Sequence, residues 1–136
     1  MAYWLMKTEP EEFSYADLES RGREPWNGVR NPTALKHMRA MAPGDLFLFY
    51  HTGNERAVVG VGRVERAAYP DPAESDPRFV VVDVVPAYRF AEPVTLAAIK
   101  ADERFAAWEL VRQSRLSVMP VPEELWRVIH TMGKME

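Results

Sequence analysis

Apolar residues along the chain fall into two rhythms, and these predict its elements before any other property is consulted. "AYWLMK", Ala2 to Lys7, is an apolar run that breaks into the polar turn "TEPEE", which predicts a strand ending there. "SYADLESRG" sets Ser14 three residues before Asp17 and closes on Gly22, the pattern of a short capped helix. Asn31 followed by Pro32 predicts a second helix start, because proline's missing N–H costs nothing at the first helical position. That helix places Leu35, Met38 and Met41 on one face and ends at "APGD".

"DLFLFYHTGNERAVVGVGRVER" then reads as a hairpin with its turn at Thr52 to Arg56. Leu46, Leu48 and Tyr50 alternate with Phe47, Phe49 and His51, so both faces of the first strand are largely apolar, as in a covered or closed sheet. Gly60 and Gly62 in the second strand permit a sharp bend or a close backbone approach. "AAYPDPAESDPR" reads as a proline-rich acidic loop and "FVVVDVVPAYRF" as a long β-branched strand. "EPVTLAAIKADERFAAWELV" holds one or two short helices with Thr95 as a cap, and "RLSVMPV" is a further strand. "PEELWRVIHTMG" closes the chain as a helix with Leu125, Val128, Ile129 and Met132 at helical spacing. The sum is one α+β domain over residues 1–136, a mixed sheet curled into a small β-barrel with flanking short helices.

Composition narrows the chemistry. With 136 residues there is room for one domain. The absence of cysteine excludes disulfides, a thiol nucleophile and thiolate metal sites. His37, His51 and His130 are scattered, so no metal is expected, and Gly60–Gly62 lacks the frame of a dinucleotide loop, so no cofactor is expected either. No apolar run approaches the roughly 20 residues of a membrane span, and the N-terminal run turns acidic after Lys7. A cytoplasmic monomer without a membrane partner is the expectation. The net charge of −3 argues against indiscriminate polyanion binding. Its distribution says more: Arg21 to Arg39 carries five Arg/Lys plus His37 against Glu24 alone. A solvated charged surface explains that sector as well as a binding face does.

Within it lies "EPWNGVRNP", Glu24 to Pro32, where Trp26 is surrounded by Asn27, Arg30 and Asn31. Buried polar groups need partners, so Trp26 is either a core residue or a pocket wall. An aromatic face beside amide edges and a guanidinium is what recognition of an unstacked base requires. The ring stacks, the amides read the base edge, and the arginine holds a phosphate. Trp108 and Trp126 read as helix packing, whereas for Trp26 both readings stand on residue type alone. Ser114, His51 and Asp45 supply the types of a catalytic triad but lack any GxSxG-type context. Lys7, Thr8 and Glu9 end the first strand, either as a polar strand end or as a lysine and a carboxylate projecting into a barrel mouth.

"YWLMKTEP", "WNGVRNPTA", "MAPGDLFLFYHT", "VVGVGRVERAAYPDP" and "RQSRLSVMPV", in this order, resemble the EVE domain family of the PUA-like superfamily, which is similar to YTH domains. The resemblance implies a non-enzymatic module that takes a single flipped, modified nucleobase, as modified cytosine in DNA or within modified RNA. It places Lys7, Thr8 and Glu9 at the strand end lining the pocket, with Trp26 as a cage tryptophan and Asn27 as an edge reader. Arg30 and Asn31 fall in the same motif, Tyr50 and His51 at the facing strand end, and Ser114, Arg115 and Ser117 where hydroxyls and a guanidinium meet the backbone. Asn27 stands where the family usually carries an acid, Pro32 where an aromatic is common and Met119 where glutamine is. Phe79 and Val84 stand near positions that carry tryptophan in related proteins, so a complete aromatic sandwich does not follow. ASCH-type relatives hydrolyse acylated nucleosides with lysine, threonine and glutamate, which offers an amidohydrolase built on Lys7, Thr8 and Glu9 as the rival. The binding reading expects Trp26→Ala to abolish recognition and leave the fold intact.

Overall fold

The computed structural model describes residues 1–135. Strand β1 (Tyr3–Thr8) is followed by helix α1 (Tyr15–Arg21), a two-residue strand β2 (Glu24–Pro25) and helix α2 (Pro32–Ala40). Then come β3 (Leu46–His51), β4 (Ala57–Pro70), β5 (Val80–Thr95), α3 (Leu96–Lys100), α4 (Glu109–Arg112), β6 (Val118–Pro120) and α5 (Glu123–Met132). The caps form where the local sequence demands them. The Ser14 hydroxyl accepts from the Asp17 N–H while the Asp17 carboxylate accepts from the Ser14 N–H, and Gly22 ends α1 at φ 77°. Asn31 accepts from the N–H groups of Thr33 and Ala34, and Thr95 from that of Ala98.

One six-stranded sheet runs in the order β2-β5-β4-β3-β1-β6. β1 and β3 are parallel, from Tyr3 opposite Leu46 to Thr8 opposite His51, and the other pairs are antiparallel. A parallel pair needs a long crossover, and here the crossover is the whole segment from α1 through α2. The stretch around Trp26 is therefore slung from one side of the sheet to the other.

The expected closed barrel does not form. β2 and β6 are the two edges and do not pair with each other. Each is two or three residues long and each ends on a proline, Pro25 or Pro120, which has no N–H to give a closing ladder. Helix α2 bridges the gap instead, packing against β6 on one side and β5 and β4 on the other. The acidic loop is also shorter than its composition suggests: β4 continues through Ala67, Ala68 and Tyr69 to Pro70, and β5 runs on to Thr95. β4 and β5 stay paired over this length by slipping register at four points, which bends the sheet around the core.

The core is a cluster of aromatic and aliphatic side chains that covers both faces of β1 and β3, with Leu5, Met6, Leu18, Met38, Phe47 and Phe49 fully buried. The Trp108 indole N–H donates to the Pro120 carbonyl at 2.9 Å, and Trp126 stacks on Tyr3 with ring centroids 4.2 Å apart. Both tryptophans pack as their helical context implies. Gly62 makes the close approach: a Cβ there would lie 2.3 Å from Cζ of Phe47. Gly62→Ala is expected to destabilise the fold by about 1–3 kcal/mol through overpacking, read as a lower urea midpoint at unchanged slope.

Candidate functional site

A short backbone ladder holds the Trp26 loop. Glu24 pairs with Val84 and Pro25 with Asp83, and the Trp26 N–H donates to the Val82 carbonyl at 2.8 Å. Asp83 secures this junction. Its carboxylate is 6% exposed, accepts from the Tyr69 hydroxyl at 2.5 Å and is paired with the Arg23 guanidinium at 2.9 Å. Burial alone would raise the Asp83 carboxyl, but the bonds from Tyr69 and Arg23 outweigh it and hold it below its ordinary value. Beyond Trp26 the chain turns at Gly28, with φ 80°, and is tied down again by the Asn31 cap.

Beside this loop, at the C-terminal end of β1, a cleft of about 440 Å³ opens. Lys7, Thr8, Trp26, Asn27, Arg30 and Ser117 line it together. Trp26 is only 4% exposed, and its ring meets Phe13, Phe47 and Phe49 edge to face at 5.3–5.7 Å. The expected open stacking face is thus absent: the three phenylalanines hold the indole within the core. One part of the ring still faces outward. Among the described residues no buried side-chain nitrogen or oxygen lacks a partner, and the Trp26 Nε1–H has none, so it is not sealed off. By contrast, the Trp4 Nε1–H is spent on Asp45 and the Trp108 Nε1–H on Pro120. Trp26 is both core and cleft wall.

The remaining lining is mixed in polarity. Lys7 Nζ donates to the Ser114 carbonyl at 3.0 Å, and burial pulls its pKa down. The Thr8 hydroxyl donates to the Phe13 carbonyl and so braces the turn carrying that ring. Arg30 lies over Phe79 at 4.2 Å and is paired with Glu74 at 2.7 Å, so a phosphate at Arg30 must displace a carboxylate. Phe13, Glu12, Arg21 and Glu24 also line the cleft and went unread in the sequence. Phe13 had a signal: it directly precedes the Ser14 cap, the position where an apolar residue staples a helix start.

Other candidate residues lie apart from this cleft. Glu9 is exposed and does not line it, so Lys7, Thr8 and Glu9 do not converge on one point. Asn31, Ser114 and Arg115 line a separate, shallower cavity. Tyr50 is buried beneath a third, and His51 is held by the Tyr15 N–H at Nε2 and by Glu55 at Nδ1. Asp45 precedes β3 while His51 ends it, a separation of roughly 20 Å by strand rise, so no triad with Ser114 assembles. Among the described residues no group of three His, Asp or Glu side chains is placed to hold a metal ion.

The EVE domain family model matches residues 2–132. The mouse thymocyte nuclear protein 1 is 29% identical, over 98% of this chain and 74% of its own. The solution structure of a Rhodopseudomonas palustris protein superposes with a TM-score of 0.93 at 43% identity, covering 98% of this chain and 94% of that one. The crystal structure of the human THYN1 protein in complex with 5-methylcytosine-containing DNA gives a TM-score of 0.91 at 27% identity, covering 100% and 99%. An ASCH protein of Zymomonas mobilis, 12% identical over 96% of this chain and 95% of its own at a TM-score of 0.63, shares the fold alone.

Asp83→Asn keeps the shape at the loop anchor and removes its charge. The variant is expected to lose about 1–3 kcal/mol at neutral pH. Because folding depresses the Asp83 pKa, its contribution is present above the ordinary carboxylate value, near 3.8, and is lost as pH falls through the lower folded value. Across a pH series from about 7 to 3 the difference in urea midpoint between wild type and variant should therefore hold down to about 3.8 and narrow below it.

Proposed function

The chain belongs to the EVE domain family, and we propose that it is a nucleic-acid-binding module that admits one flipped, modified base to the cleft beside Trp26. The observation that carries this reading is the unpartnered Trp26 Nε1–H at the wall of a cleft whose volume falls within the ~300–1,000 Å³ of small-molecule sites. The donors Lys7, Trp26 and Asn27 share that space with the acceptors Asn27, Glu24 and Ser117. A neutral heterocycle with donors and acceptors on its edge suits such a lining better than a polyanion does. Methylated cytosine in DNA is the first ligand to test, since a relative that aligns over the full chain is solved with such DNA. RNA carrying a modified base is the second.

In this reading the base is identified by its edge. The Trp26 N–H donates to a ring nitrogen or carbonyl oxygen, and the Asn27 amide both donates and accepts where a carboxylate would only accept. Arg30 exchanges Glu74 for a phosphate as nucleic acid arrives. No chemical step is assigned to the site. The separation of Glu9 from the cleft favours binding over an acylated-nucleoside hydrolase built on Lys7, Thr8 and Glu9.

Trp26→Ala is a poor test, because emptying so buried a site costs about 3–5 kcal/mol of stability. Trp26→Phe keeps an aromatic ring in the core and deletes the donor, at the cost of a smaller cavity than alanine would leave. This variant and Asn27→Ala should each weaken binding of a 5-methylcytosine oligonucleotide roughly tenfold; the thermal midpoint falls little in Asn27→Ala and moderately in Trp26→Phe, with both folded at the assay temperature. Fluorescence anisotropy with methylated and unmethylated duplexes measures it. Undiminished preference for the methylated duplex in both variants would refute the edge-reading role.

A further inference from the structure

Carboxylates neutralise most of the arginine surface. Eight arginines are paired with Asp or Glu within 4.0 Å. Lys7, Arg56 and Lys100 have no such partner among the described residues, yet all three line one cavity of about 230 Å³. Among the described residues no carboxylate lines it. Glu55, next to Arg56 in the chain, is paired with His51 and lines a neighbouring cavity that Arg56 and Lys100 also border. The concavity also holds the hydroxyl-bearing side chains of Thr52 and Ser114, with Tyr50 as an aromatic wall.

The backbone fixes this arrangement. Arg56 sits at φ 44°, a left-handed conformation unusual for a residue with a side chain. Its carbonyl accepts from the Leu96 N–H at 2.8 Å, at the start of α3, and Lys100 ends the same helix. One short helix thus aligns the strained hairpin turn with the second cation. The third, Lys7, is tethered through Ser114 and lines both this cavity and the base cleft. Three cations that border one cavity with no carboxylate paired to them repel one another, and a concave wall focuses their field. An anion with several oxygens relieves the repulsion, and a phosphate suits a guanidinium fork flanked by ammonium groups.

Accepting the base-binding role of the neighbouring cleft, we propose that the Lys7–Arg56–Lys100 cavity holds a backbone phosphate beside the flipped nucleotide, with Lys7 as the group common to both sites. The base cleft then supplies selectivity and this cavity supplies affinity that ignores base identity.

The test compares wild type, Arg56→Gln, Lys100→Gln, the double variant and Arg127→Gln, the last removing a cation paired with Glu123 on α5. Binding of methylated and unmethylated oligonucleotides is measured across a series of salt concentrations. Each single cavity variant should lose roughly tenfold in affinity for both oligonucleotides alike, and the salt slope should fall by about one for each cation removed. Arg127→Gln should leave the slope unchanged. An unchanged slope in the double variant, or an equal change in Arg127→Gln, overturns the phosphate cavity. Wild type binding both oligonucleotides equally overturns the base reading instead, and the slopes still decide the cavity. No binding of either oligonucleotide overturns both.

Discussion

Asp83 is the anchor on which the site's geometry depends. Its carboxylate lies almost out of water on β5, gripped by the Tyr69 hydroxyl and the Arg23 guanidinium, and the chain entering the Trp26 loop is pinned at the same place. A charge buried this far is costly unless its oxygens are satisfied, and here both are. The two-residue ladder it secures sets where the Trp26 backbone meets Val82, and so which edge of the indole turns toward the cleft. Without it, the loop slung across the parallel crossover would keep the packing of Trp26 and Val29 and the Asn31 cap but lose its backbone register on β5.

Sinking Trp26 into Phe13, Phe47 and Phe49 exchanges a stacking surface for rigidity. A ring clamped by three neighbours cannot turn to suit its ligand, so its N–H is held in one direction before anything binds. Preorganisation of that kind favours discrimination over reach. Burial links the proposed site to stability as well, because the atoms that would read a base also fill the core. The peripheral cations carry no such burden. Arg56 and Lys100 are exposed and can be changed with small cost to the fold, which separates affinity from architecture.

Local signals made most of the fold legible in the sequence. Caps at Ser14, Asn31 and Thr95, the hairpin turn after His51 and the helical stripe from Leu125 to Met132 are set by residues within a few positions of one another. What escaped was non-local. Pro25 and Pro120 mark sheet edges only once the strand order is known, and with it goes the expectation of a closed barrel. The burial of Trp26 depends on Phe47 and Phe49, more than twenty residues later, so its polar neighbours in the chain suggested more openness than it has. Six of the named candidate residues share a cleft, while Tyr50 lines the cation cavity and His51 is taken up by Tyr15 and Glu55. The cation cluster was unreadable for the same reason, since Lys7, Arg56 and Lys100 meet only through the β1–β3 pairing and α3.

The central claim is that the Trp26 indole N–H, unpartnered like that of Trp126 but placed at the wall of the cleft, is held there to meet a base. Nuclear magnetic resonance observes the four indole signals separately, and titration with a short oligonucleotide carrying one 5-methylcytosine addresses the claim without altering the protein. The Trp26 signal should shift strongly with the methylated strand and much less with the unmethylated one, while the Trp4 and Trp108 signals, committed to Asp45 and Pro120, stay in place. A Trp26 signal that stays still while the methylated strand binds would contradict the account.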